Sequence, residues 1–150
     1  VQAGRLGRGV GRGVFRYEAD SARPLPDPDV DDIIRREART LGIARRSIDP
    51  SEIVERCTLA LIVEGVRLLE AGIARRAADI DAIWCGAFGF PRHRGGPMYY
   101  ADSLGLDNVT DRLRHLAGRY GEAVWGTPPL LVATARAGRS LARLESPLPA

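Results

Sequence analysis

The sequence predicts an all-α domain, and three observations predict it. Apolar residues recur at helical spacing in successive segments, the breaks between segments are marked by Gly or Pro, and no stretch alternates apolar with polar residues for longer than Val14 to Tyr17. Five or six helices account for the pattern. At 150 residues the chain can bury one core, and its 27% charged and 45% hydrophobic residues are ordinary for a soluble globular protein.

Val1 to Tyr17 carries Gly at positions 4, 7, 9, 11 and 13 and Arg at 5, 8, 12 and 16. Taken alone it is either an Arg-Gly nucleic-acid segment or phosphate loop, or a glycine-rich connection closing a preceding domain. It does not fit G-x-G-x-x-G, because the third glycine falls out of register and no strand precedes it. Residues 18–29 contain Pro24, Pro26 and Pro28 among acids, which holds the chain extended as a linker and delays helix until Pro28. Val30, Ile33, Ile34, Ala38 and Leu41 then recur at helical spacing, and Gly42 ends that short amphipathic helix.

The clearest helix start is Asp49-Pro50-Ser51-Glu52, with Asp49 as N-cap, Pro50 at the first helical position, Glu52 reaching back and Ile48 able to staple onto Ile53. This helix is expected to run to Ala71 and stop at Gly72, and its apolar middle, Cys57 to Val63, should be buried on most sides. It is the central helix. Glu64 invites a reading as a catalytic carboxylate, but no general-acid partner accompanies it, and a partly buried Glu paired with an Arg or capping a neighbouring helix is favoured. Asp79 to Trp84 reads as a helix with Ile80, Ile83 and Trp84 toward the core.

Gly86 to Asp107 follows, with five glycines, two prolines and four aromatics. Phe88, Phe90, Tyr99 and Tyr100 carry too much apolar area for a mobile linker, so the stretch is an ordered loop whose rings anchor it to something. Arg92, His93 and Arg94 beside Gly95-Gly96 form its charged cluster. They suit either a phosphate or carboxylate, or the carbonyls and acids of an adjoining domain. Pro97 opens a helical turn through Met98, Tyr99, Tyr100 and Leu104, closed by Gly105, with Asp102 able to pair with a loop arginine. Asp107 is expected to cap the next helix, whose apolar face is Val109, Leu113, Leu116, Ala117 and Tyr120, with His115 solvated. Thr127 is the candidate cap of a final helix around Leu130 to Ala137, and residues 139–150 are expected to fray.

Charge narrows the functional classes. The net charge of +3 is carried entirely by Arg, with no Lys anywhere, which points to a coding bias because a nucleic-acid binder has no reason to avoid Lys. Nucleic acid is therefore an improbable partner. Cys57 and Cys85 lie in separate apolar segments and read as reduced, buried thiols of a cytoplasmic protein. His93 and His115 lack ligand-spaced partners, which argues against a metal site, and no apolar run is long enough for a membrane span. A start of V-Q-A-G-R without Met reads as cut from something longer.

The stretch F-G-F-P-R-H-R-G-G-P-M-Y-Y-A-D-S-L-G, preceded by E-I-V-E-R-C-T-L-A-L-I-V-E-G-V-R-L-L-E-A-G-I-A and D-I-D-A-I-W, resembles the last helical domain of the multifunctional fatty-acid oxidation enzymes. In those enzymes enoyl-CoA hydratase and 3-hydroxyacyl-CoA dehydrogenase activities share one chain. The resemblance spans roughly Ile48 to Gly121. A shorter match at Gly4 to Tyr17, from which Val10 and Val14 depart, is similar to the tail of the preceding helical repeat, and it favours the connection over the nucleic-acid reading.

The resemblance implies the orthogonal helical fold of the 6-phosphogluconate dehydrogenase C-terminal type. It also implies residues 1–17 as the tail of a preceding repeat and residues 30–138 as the C-terminal domain. NAD and the acyl-CoA substrate would be bound by the parent chain, with no cofactor and no catalytic residue in this one. Its partners would be the preceding repeat and the NAD-binding domain. The interface expected on that reading uses Phe88, Phe90 and Pro91 for apolar contact, Gly95 and Gly96 for close approach, and Arg94 for acids or carbonyls across the joint. Pro97, Tyr100 and Asp102 complete it. The alternative is a free-standing helical interaction module whose Arg-Gly start binds nucleic acid, with an affinity that falls steeply as salt rises.

Overall fold

The computed structural model describes residues 4–18, 21 and 23–147. They form seven α-helices and two short 3-10 turns, and the only β pairing among them is in isolated bridges. The all-α class is observed. Residues 1–3, 19, 20, 22 and 148–150 lie outside the description, so parts of the linker and tail expected from the sequence do too.

Two compact units meet between Ser47 and Ile48. In the first, the glycine-rich segment does not simply close off a chain. Antiparallel bridges join Gly7 to Arg12, Arg12 to Arg16, and Arg16 to Leu25, so the segment pairs with the proline stretch that was expected to be a free linker. Arg5 donates to the Gly13 carbonyl at 3.0 Å and pairs with Asp27. Asp27 is itself buried and caps α1 (Pro28–Thr40), accepting from the Asp29 amide at 3.2 Å. α1 lies within the first unit. Residues 41–49 are exposed throughout and form the connection.

The second unit is built on α2 (Pro50–Glu70), which packs against α3 (Ala77–Ala87), α4 (Pro97–Leu104), α6 (Glu122–Trp125) and α7 (Pro129–Arg136). Its start follows the sequence: Asp49 accepts from the Ser51 amide at 2.8 Å behind Pro50. Leu59, Ile62, Val63, Val66 and Leu69 are buried at helical spacing, each stabilising by about 1.5–3 kcal/mol relative to exposure. The opposite face corrects the expectation of burial on most sides. Ile53, Val54, Cys57 and Leu68 are exposed, and Leu61 is half-buried. Gly65 lets α4 come close, since a Cβ there would meet the Met98 methyl at 2.5 Å. Met98 is fully buried in the same core.

α5 (Leu106–Tyr120) packs against α4, α6 and α7 through Val109, Leu113 and Ala117. Its N-cap is Gly105, two residues before the expected Asp107 cap. α7 likewise has no local side-chain cap, so Thr127 does not serve. Glu70, at the end of α2, instead accepts from the Leu130 amide at 2.7 Å. An orphan amide at a helix start needs an acceptor, and here a carboxylate of another helix supplies it.

Among the described residues, 139–147, the expected fraying is not observed. Leu141 and Leu144 are buried in the core. The Leu144 carbonyl accepts from the Ala77 amide at 2.9 Å, and Ser146 donates to the Arg75 and Leu69 carbonyls. The segment after α7 is a strap tying the end of α2 to the start of α3. Leu141 and Leu144 are too sparse to read as a periodic face, which is why the sequence looked featureless there.

Candidate functional site

The loop between α3 and α4 leaves Phe88 and Pro91 exposed. α3 delivers it: the Trp84 carbonyl accepts from the Phe90 amide at 3.0 Å, and the Trp84 and Phe88 rings lie 5.0 Å apart. Arg92–Arg94 form a 3-10 turn closed by Gly95 at φ +75°, where a Cβ would meet the Tyr99 ring at 2.5 Å. Gly96 has φ 104° and ψ 168°, a region open to glycine alone. A Cβ on it would overlap the Asp81 side chain. Both glycines therefore answer to contacts inside the chain.

Asp81 explains the second of them. Pro97 opens α4 behind a glycine that has no side chain, so the first-turn amides have no local acceptor. Asp81, buried on α3, takes both: Met98 N–H at 2.7 Å and Tyr99 N–H at 3.0 Å. Burial pushes its pKa up, the two amides work against that shift, and the nearby Asp102 charge adds to it. The sequence signal was present: a Gly-Pro helix start demands an acceptor from elsewhere, and Asp81 stands between Ile80 and Ala82 on a largely apolar helix. Its partner could not be read without the fold.

Asp102 pairs with no loop arginine, contrary to expectation. It accepts from Ser140 Oγ at 2.6 Å, Leu141 N at 2.7 Å and Ala142 N at 3.0 Å, holding the C-terminal strap. Arg94 turns to Tyr100, donating to its Oη at 2.8 Å with the guanidinium 4.8 Å from the ring centre. Phe90 is half-buried against Tyr100, ring centres 6.3 Å apart. Pro97 is buried at the α4 start. Of the nine interface residues expected, Gly95, Gly96, Pro97 and Asp102 are thus engaged within the domain. Phe88, 66% exposed, and Pro91 remain on the surface, together with Tyr99 at 57% and with Ile83 at 55%, which corrects the expectation that Ile83 faces the core.

The remaining chemical candidates are scattered. Glu64 is exposed and paired with Arg67 at 2.6 Å, and His93 and His115 are exposed. Cys57 is exposed and Cys85 half-buried, both free, which corrects the reading of two buried thiols. Among the described residues no group of three or more His, Cys, Asp or Glu could hold a metal, and no helix is long and apolar enough to cross a membrane.

Residues 53–143 match the family described as 3-hydroxyacyl-CoA dehydrogenase, C-terminal domain. The chain belongs to that family. It is 43% identical over 115 residues to the peroxisomal bifunctional enzyme of Danio rerio, 76% of this chain and 16% of that protein. The human peroxisomal bifunctional enzyme is 39% identical over 114 residues, 75% of this chain and 16% of that protein. The Arabidopsis thaliana peroxisomal fatty acid beta-oxidation multifunctional protein AIM1 is 34% identical over 125 residues, 81% and 17% of the respective chains. The chain thus spans about one sixth of the relatives it matches, and none of their names points to nucleic acid. The cytoplasmic location expected from the sequence is corrected by these relatives, all named as peroxisomal. A compartment is read by receptors from short address signals, and composition does not encode it.

Proposed function

We propose that this chain is the C-terminal structural domain of a longer NAD-dependent 3-hydroxyacyl-CoA dehydrogenase of fatty-acid beta-oxidation that also carries an enoyl-CoA hydratase domain. The observation that carries the proposal is the family match over 53–143, which falls on the helical unit beginning at Ile48. The parent reaction passes a hydride from C3 of an L-3-hydroxyacyl-CoA to NAD while a base takes the hydroxyl proton, leaving the 3-ketoacyl-CoA. NAD, acyl-CoA and the base belong to other parts of the parent. The peroxisomal setting is carried over from the relatives' names.

This domain contributes a docking face for the preceding helical repeat. Phe88, Pro91, Ile83 and Tyr99 present apolar surface that the domain's own core does not need, and such patches mark interaction sites. The carboxylate caps hold that face in shape from behind. Without the repeat, the isolated chain should self-associate through it. Sedimentation at tens of micromolar is expected to show association for the wild type and a folded monomer for Phe88→Ser, since Phe88 contributes little to the core. A wild type that stays monomeric over this range would contradict the docking face.

A further inference from the structure

On the other side of the loop lies a groove of about 380 Å³ between the start of α2 and helices α4 and α5. That size is at the small end of ligand sites, and a predominantly apolar lining with a few polar groups is their usual character. Pro50, Val54, Leu59 and Leu104 supply the apolar wall, with Leu59 almost fully buried. The docking residues Phe88, Pro91 and Ile83 do not line it.

Its polar groups are mostly spent within the chain. Ser51 donates to Asp49, Thr58 donates to the Val54 carbonyl at 2.7 Å, and Arg112 is neutralised by Glu55 at 2.5 Å. Arg94 is different. Its guanidinium gives one hydrogen bond, to Tyr100 Oη, out of five N–H donors, and meets no carboxylate among the described residues. Tyr100 Oη, having accepted that bond, still has its own proton to donate. The groove therefore ends in one uncompensated positive charge with a phenolic donor beside it. That set matches a single planar anion better than a dianionic phosphate.

We propose that this groove binds a medium-chain amphiphile ending in a carboxylate, its chain against Val54, Leu59 and Leu104 and its anion on Arg94 and Tyr100. The volume favours a small molecule over a protein helix, and the single free cation sets the head group. This site is independent of the docking face and of the parent's identity.

The test uses the full 150-residue chain and octanoate below its micelle concentration, with acetate and 1-octanol as controls lacking the chain or the charge. Octanoate is expected to bind saturably, one per chain, about 10-fold or more tighter than either control, as a charge-assisted contact on an apolar wall predicts. Amide chemical shifts of the wild type should move around Val54, Leu59, Arg94 and Leu104 and leave those around Phe88 in place. Arg94→Gln should erase the preference for octanoate over octanol. Should that variant unfold, the wild-type shift map still decides. Absence of binding, equal binding of octanol, or shifts elsewhere would overturn the proposal. So would an apolar peptide with a free C-terminal carboxylate that binds where octanoate does not, since the groove would then belong to a protein segment.

Discussion

A chain ending at Gly138 is expected to lose most of its stability. Leu141 and Leu144 leave the core, each removing about 1.5–3 kcal/mol of burial. Asp102 loses all three of its donors on the strap, and the Ala77 amide loses the Leu144 carbonyl. The combined loss, on the order of 5 kcal/mol, is comparable with the whole stability of a marginal domain. Thermal denaturation by circular dichroism should show a midpoint lowered by roughly 15 °C or more, or no cooperative transition. A midpoint within about 1 °C of the intact chain would mean the strap is decoration.

Gly96→Ala is the second large effect. It places a Cβ into the Asp81 side chain and asks alanine to hold φ near 104° with ψ near 168°. The backbone strain costs about 1–3 kcal/mol, and displacing the carboxylate from either amide of α4 costs about 1–3 kcal/mol more. Gly89→Ala is the control, because Gly89 also has positive φ, at 73°, but open space where the Cβ would go. Urea denaturation should rank Gly96→Ala as clearly the worse of the two. Equal losses would show that the Asp81 contact contributes nothing beyond backbone strain.

Asp81 also carries a pH signature. Its pKa in the fold lies above the ordinary carboxylate value of 3.8, so its contribution is fully present below that value and is lost as pH rises through the raised one. Asp49 and Asp79 have the opposite sign. Hydrogen bonds from Ser51 and Arg76 respectively hold their pKa values down, so their contributions are present above 3.8 and are lost as pH falls through the lowered values.

The difference between what was legible and what was not is physical. The start of α2 could be read because its cap, Asp49, adjoins the helix it serves. The ends of α1 and α5 could be read because Gly42 and Gly121 sit beside them with positive φ. The start of α4 could be read from Pro97, but the acceptors that cap α4 and α7, Asp81 and Glu70, could not, because they come from 17 and 60 residues away. Four-residue α6 is too short to show a period. The loop's aromatic content announced a packed element, but which ring it buries depends on the neighbours. Phe90 leans on Tyr100 while Phe88 faces outward, and nothing in F-G-F distinguishes them.

On the proposed function, this domain supports a dehydrogenase without carrying its chemistry. The purified chain should therefore be assayed for acetoacetyl-CoA reduction with NADH and titrated with NAD by calorimetry. No turnover above the uncatalysed rate and no binding heat are expected. Measurable turnover would contradict the claim, whatever the stability of the fold.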